Sequence, residues 1–154
     1  MPPITAIVHT ANDALRIGRA LESLRVCDQV IVVDHDSRDQ TTAVARSYGA
    51  AIRCGDAAAA VAAARHDWIL CLLPTEALHE NLEAALHEWK DTDPGDAAGF
   101  RIAVREESGA GWQEAGTSLR LVHRARIALR DPLPVDGSPE APTIPGHILR
   151  FARP

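Results

Sequence analysis

Three short polar stretches hold most of the side chains in this sequence that could do chemistry: Thr10-Ala-Asn12-Asp13, Asp34-His-Asp36-Ser-Arg-Asp39 and Pro74-Thr75-Glu76. Each follows an apolar run, Ile4 to His9, Gln29 to Val33 and Trp68 to Leu73. An aspartate that ends a buried strand is costly unless it accepts hydrogen bonds, and a nucleobase or a ribose offers suitable donors. Asp34 fits that description. Asp39 reads better as a cap on the amides of its own turn, because Asp is among the favoured helix-capping residues.

Other groupings carry weaker chemistry. His79, Glu83 and His87 fall at i, i+4 and i+8, so they share a helical face that could hold a divalent ion; a solvated face is the simpler reading. Arg120, Arg124, Arg126 and Arg130 could meet a diphosphate or an acidic partner. However, fifteen of the sixteen basic residues are arginine, Lys90 being the exception, and compositional bias makes a solvated basic face the better expectation. His9 reads as a packed strand histidine more than as a base. Val33-Asp-His-Asp36 is similar to the Asp-x-Asp of haloacid-dehalogenase-like phosphatases, but that chemistry also needs a later lysine and an acidic pair at a strand end. Lys90 sits at a helix end, and no acidic pair follows an apolar strand.

The elements that position these residues follow from periodicity. The runs at 4–9, 29–34 and 68–73 are continuous in apolar residues, as expected of parallel strands covered on both faces. Between them, Ala14, Ile17, Leu21 and Leu24 have helical spacing, with Asn12 as the expected cap and Asp13 suited to the helix dipole. A helix over 40–48 has Ser37 and Gln40 at capping-box spacing and Gly49 as its stop. Ala50 to Arg53 could be a third strand, Asp56 caps an alanine-rich helix over 57–65, and a helix over 79–90 turns Leu82, Ala85, Leu86 and Trp89 inward. Repeated strand-helix order predicts a doubly wound, mostly parallel α/β sheet with right-handed crossovers. Ligands of such sheets bind beyond the carboxyl ends of the strands, where all three polar stretches lie. Past Asp91 the texture changes: a strand over 98–105, two short strands around Ala125 within 119–130, a Pro-rich loop over 131–146 and a last strand over 148–151 are expected.

The chain has 154 residues, 46% hydrophobic and 24% charged, which suits one globular domain over 1–154. No apolar run approaches the ~20 residues of a membrane-spanning helix, and no signal peptide is evident, so a cytoplasmic protein without a membrane span is expected. A formal charge of −5 disfavours nucleic acid as a partner. Cys27, Cys54 and Cys71 are odd in number and widely spaced, which argues for buried, reduced thiols.

In the order of its elements the chain resembles family 2 glycosyltransferases, whose GT-A fold binds a nucleotide-diphospho sugar, and it looks most like the branch that builds lipopolysaccharide core. The resemblance is carried by Ile4-Thr-Ala-Ile-Val-His-Thr-Ala-Asn-Asp13, Arg19-Ala-Leu-Glu-Ser-Leu24, Val32-Val-Asp-His-Asp-Ser-Arg-Asp-Gln-Thr41 and His66-Asp-Trp-Ile-Leu70. Fainter echoes are Gly99-Phe-Arg-Ile102, Leu119-Arg-Leu121 and His147-Ile-Leu149. The resemblance implies that Thr10 and Asp34 hold the nucleoside, with Asp36 and Glu76 at matching acidic positions. It also implies a nucleotide-binding half over 1–90, an acceptor half over 91–154, and a UDP-sugar type of ligand.

Departures from the family pattern are equally specific. Where relatives place an Asp-x-Asp motif that holds Mg²⁺ or Mn²⁺ against the donor diphosphate, this chain has Leu73, Pro74 and Thr75. Where they place an acceptor-side base, it has Gly116, with Glu114 as the available substitute. Ala57 to Ala60 replace residues that would face the phosphates, and the C-terminal helices of the family are lacking. Three parts of the site are thus altered together. The expectation is a glycosyltransferase-like protein that uses no metal and has impaired transfer. The alternative is a non-enzymatic binding or scaffolding module, either a homodimer or paired with an active glycosyltransferase.

Overall fold

A computed structural model describes residues 2–152; Met1, Arg153 and Pro154, which the 1–154 domain assignment includes, lie outside the described residues. Strand β1 (Ile4–Thr10) is buried along its whole length. It runs parallel to β2 (Gln29–Asp34) on one side and to β4 (Trp68–Leu72) on the other, with Val8 opposite both Val32 and Leu72. Strand β3 (Ala51–Cys54) adds a parallel edge beside β2. These are the neighbours that the continuous apolar runs predict.

The helices divide between the faces of this sheet. Helices α1 (Ile17–Glu22), α2 (Thr41–Ser47) and α4 (Glu80–Trp89) contribute Ile17, Ala20, Leu21, Ala45, Leu82, Leu86 and Trp89 to one apolar cluster with Ile4, Ala6, Val8, Val32, Leu70 and Leu72. Helix α3 (Ala57–Ala63) covers the other face through Ala60, against Ile7, Ile31, Val33, Ile69 and Cys71. Successive residues of β1 thus enter opposite cores, the period-2 geometry of a strand covered on both sides.

Beyond β4 the sheet changes character. Strand β7 (Gly111–His123) pairs antiparallel with β4 and with β6 (Gly99–Ser108), and β8 (Thr143–Arg150) runs parallel to β6. A three-residue strand, β5 (Glu76–Leu78), closes the far edge, giving the order β3-β2-β1-β4-β7-β6-β8-β5. The sheet is therefore parallel around β1 and mixed past β4.

Several local expectations are corrected. Asn12 does not cap α1; it adopts a left-handed φ of 55°, and its side-chain oxygen accepts from the Arg38 amide. The helix starts five residues later, at Ile17. Ser37 and Gln40 form no capping box, because Ser37 donates to Asp34 and Asp39 takes the cap role by accepting from the Thr41 amide at 2.9 Å. The region 119–130 is not two short strands but the end of the 13-residue β7 followed by a turn, and the last strand begins at Thr143, inside the expected loop. Asp56 caps α3 as expected, donating no proton and accepting from the Ala58 amide. Gly49 supplies the left-handed stop after α2.

The thiols also divide. Cys71 is buried, Cys27 half-buried and Cys54 exposed, against the expectation that all three are buried, and the surroundings of Cys27 and Cys71 push both thiols up to about 12. Since the thiolate is the reactive form, a thiol reagent added to the native protein should label Cys54 rapidly and the other two only on unfolding. Rapid labelling of all three under native conditions would contradict the raised thiols of Cys27 and Cys71.

Candidate functional site

The carboxyl ends of β1, β2 and β4 surround a cleft of about 370 Å³, lined by His9, Thr10, Asp13, Arg16, His35 and the Leu73-Pro74-Thr75 turn, with Pro132 closing one side. Its rim is built by two loops that hydrogen-bond to each other. The Asn12 amide donates to Ser37 Oγ at 2.9 Å, the Asp13 amide to Thr41 Oγ1 at 2.9 Å, and the Ala14 amide to Asp39 Oδ2 at 3.2 Å. Polar residues of the first two stretches are thus largely spent on fixing the rim.

Asp13 is the best-held of them. Thr10 Oγ1 donates to Asp13 Oδ2 at 2.7 Å, the Ala11 amide at 3.0 Å, and Arg16 reaches Oδ1 through Nε at 3.0 Å and Nη2 at 2.5 Å. Burial alone would raise the Asp13 carboxyl, but the Thr10, Arg16 and Ala11 donors outweigh it and hold the group below its ordinary range. Asp13 is therefore an anchored anion in the cleft wall, a role that its expected place in a helix first turn did not reveal.

Each sequence-predicted site residue can be placed. Thr10 lines the cleft, with its hydroxyl proton committed to Asp13. Asp34 is 8% exposed at the end of β2, where it accepts from Ser37 Oγ at 2.5 Å and from the Ser37 amide at 3.2 Å. Asp36 is exposed on the same loop, with a left-handed φ of 55°. Glu114 lies on exposed β7, paired with Arg105 at 2.7 Å. Of these, the structure brings only Thr10 to the cleft wall.

Glu76 stands apart. It has no exposed surface, and Arg120, equally buried, grips it with two bonds, Nη1 to Oε1 at 2.7 Å and Nη2 to Oε2 at 2.8 Å. Arg150 adds Nε and Nη2 contacts to Oε2 at 3.0 and 2.9 Å, and the Leu73 amide donates to Oε1 at 2.8 Å. Burial raises the Glu76 carboxyl, but the two guanidinium groups and the Leu73 amide more than reverse this, so it stays ionised below its usual range. Arg120 also donates to Ser118 Oγ and the Cys71 carbonyl. The solvated basic face expected for Arg120 is thus corrected: its charge is internal, and it fastens the Leu73-Pro74-Thr75 turn from beneath.

Sequence reasoning undervalued two histidines. His9, 7% exposed, faces His35 across the cleft floor with Nδ1 and Nε2 2.9 Å apart and the ring planes within 19° of parallel. The signal was present, since His9 precedes Thr10 and His35 follows Asp34, and Thr10 and Asp34 are direct partners in the β1–β2 register.

Mg²⁺ or Mn²⁺, which the resemblance implies, does not fit this donor set. A hard divalent cation takes about six oxygen ligands, at least some of them carboxylate. Leu73 and Pro74 offer only backbone carbonyls, Thr75 a hydroxyl, and the Glu76 carboxylate is filled by two arginines. Among the described residues no cluster of three or more His, Cys, Asp or Glu side chains could hold a metal.

A parallel sheet with β1 at its centre, a cleft at its carboxyl end and an antiparallel extension past β4 define a GT-A-type glycosyltransferase fold. Comparison with known proteins agrees. No family model matches the chain. In sequence, an uncharacterized glycosyltransferase of Rickettsia felis is 36% identical over 91 residues, 54% of this chain and 32% of the relative. The aligned part spans about a third of the length of the curated relatives it matches. In structure, TarS 1–349 of S. aureus superposes with a TM-score of 0.54 at 18% identity, covering 71% of this chain and 37% of that one. Glucosyl-3-phosphoglycerate synthase from Mycobacterium tuberculosis, crystallised with Mn²⁺, uridine-diphosphate and phosphoglyceric acid, gives 0.52 at 18% identity over 71% of this chain and 45% of that one. The chain has the GT-A fold and is similar, over about half of its length, to proteins named as glycosyltransferases. Nothing supports the phosphatase alternative. No helix among the described residues is long and apolar enough to cross a membrane.

Proposed function

We propose that the chain binds a nucleotide-sugar of the UDP type in the cleft beyond β1, β2 and β4, and that metal-dependent sugar transfer is impaired. One observation carries this reading. At the end of β4 the chain offers Leu73, Pro74 and Thr75, and the adjacent carboxylate of Glu76 is neutralised within the core. A donor diphosphate there meets no metal-binding pair, so departure of the nucleoside diphosphate lacks its usual electrostatic support. Nor is a free carboxylate base offered: Asp13 in the cleft wall is taken up by donors from Thr10, Ala11 and Arg16, and Glu114 lies on β7 paired with Arg105. The same observation favours the second reading, a non-enzymatic module acting as a homodimer or beside an active glycosyltransferase in the cytoplasm. Sugar acceptors of the lipopolysaccharide-core type are part of the proposal and rest on the sequence resemblance.

In this reading the nucleoside supplies most of the affinity, through Thr10 and the free lone pairs of Asp34, with Asp36 on the neighbouring loop. Calorimetry at neutral pH should therefore find UDP binding about as weakly as uridine, with added Mn²⁺ changing neither. Asp34→Ala should remove the binding of both while leaving the folded spectrum intact. Mn²⁺-dependent UDP binding far tighter than that of uridine, or multiple-turnover hydrolysis of UDP-glucose, would overturn the impaired-transfer reading. A thermal-shift panel of UDP, GDP, CDP and CMP reads the base preference, since a ligand that binds only the native state raises its stability.

A further inference from the structure

The cleft's own charges suggest how it meets phosphate in the absence of a metal. Five titratable groups face His9: His35 from the end of β2, Asp13 and Arg16 from the β1–α1 loop across the cleft, Asp131 from the segment after β7, and Cys71 of β4, a thiol that burial pushes up to about 12. Asp13 and Arg16 cancel each other in a bidentate pair. The α3 side contributes Ala57 and Val61, and the β4 side Leu73, Pro74 and Thr75, none of which is charged. Asp131 faces His9 from the side away from the cleft, so among the residues lining the cleft itself the state of the two imidazoles sets the net charge.

Two neutral imidazoles carry one N–H each, and the 2.9 Å contact between His9 Nδ1 and His35 Nε2 uses one of them. The outward-facing nitrogens, His9 Nε2 and His35 Nδ1, then present one donor and one acceptor. A third ring proton leaves the internal hydrogen bond in place, turns both outward nitrogens into donors and gives the pair a unit positive charge. We propose that the cleft is a metal-independent anion site, which takes a phosphate or diphosphate group more tightly as the His9–His35 pair gains a proton on acidification. Burial, and then the neighbouring His35, holds the His9 imidazole below its ordinary value against a smaller opposing pull from Asp131. The His9 ring is thus biased toward its neutral form in the unliganded cleft, and a bound anion supplies the charge that favours the extra proton. The inference rests on the nucleotide-sugar reading for the identity of the ligand, but not for the existence of the anion site.

The test uses probes whose own charge is constant between about pH 5.5 and pH 8, the range in which a histidine changes state. UDP-glucose, a diphosphate diester, and inorganic sulfate meet this condition, and uridine serves as the uncharged control. In EDTA, UDP-glucose and sulfate should each bind about tenfold more tightly at the lower pH, the gain expected from uptake of one proton per anion. Uridine should bind equally at both. His35→Gln, at an exposed position, keeps a hydrogen-bonding partner for His9 but should flatten both pH profiles. The His9 ring resonances should titrate at higher pH when sulfate is present. Equal affinity at both pH values, or a gain that His35→Gln retains, overturns the inference. If uridine and UDP-glucose bind equally and without pH dependence, the nucleotide reading survives and the anion site fails. If sulfate binds with the expected pH dependence and uridine does not bind, the anion site stands and the nucleotide reading fails.

Discussion

Arg120→Met is expected to lower the unfolding free energy by about 3 kcal/mol, because it leaves a carboxylate in the core with two of its five hydrogen bonds gone. Glu76 would keep Arg150 and the Leu73 amide, which places the cost at the lower end of that expected for breaking a buried ion pair. Urea unfolding monitored by tryptophan fluorescence checks it. The double variant Glu76→Gln, Arg120→Met should recover much of the loss, since a neutral amide tolerates burial better than an unpaired charge. The sign of the pH dependence follows from the depressed Glu76 carboxyl. Its stabilising contribution is complete above the ordinary glutamate value of 4.5 and is lost as pH falls through its lower value in the fold. Glu76→Gln should therefore flatten the acid limb of the stability profile. An Arg120→Met protein as stable as the parent would mean that the pair adds nothing beyond what Met packing supplies.

The same buried pair shows where the sequence was hard to read. Strands β1, β2 and β4 were legible because each is a continuous apolar run next to a segment of helical periodicity, so local pattern and tertiary role agree. Strand β5 has three residues, too few for any period to register. The distal hairpin of β6 and β7, from Glu106 to Thr117, is exposed throughout and rich in glycine, so it lacks the one-sided burial that produces alternation. Arginine bias concealed Arg120, although a single charge inside Leu119-Arg-Leu-Val122 and a lone Glu76 after Pro74-Thr75 are together what a buried pair leaves in a sequence. The site was legible as a location but less so in its parts. The rule that ligands meet the carboxyl ends of parallel strands selected the three loops that line the cleft. It could not say which polar groups would face the cleft and which would lace the loops together. Thr10, Asp13, Asn12, Ser37, Asp39 and Thr41 are mostly of the second kind, because backbone amides at the tight turns need acceptors.

Gly146→Ala is expected to cost about 3 kcal/mol or more, from two effects at one atom. Gly146 has a φ of +96°, a conformation that L side chains rarely adopt, and a Cβ there would lie 2.6 Å from both Leu82 N and Cα. Those are backbone atoms in the first turn of α4, which a rotamer change cannot move aside. The glycine sits where the β6–β8 register skips, with Ile102 opposite Ile144 and Ala103 opposite His147, so the bulge lets the helix approach the strand. Hydrogen bonds from the His79 amide to the His147 carbonyl and from the His147 amide to Asn81 Oδ1 fasten that approach. Gly116→Ala separates the effects, since Gly116 has a φ of +80° but open space around its missing side chain. It should cost only the conformational part, about 1–2 kcal/mol. Equal losses in the two variants, read by urea unfolding, would show that α4 shifts without penalty. Because β8 carries both Gly146 and the Glu76 partner Arg150, displacing the strand should also weaken the buried ion network. Gly146→Ala and Arg120→Met combined should then lose less than the sum of the separate losses, the signature of two residues acting on one strand.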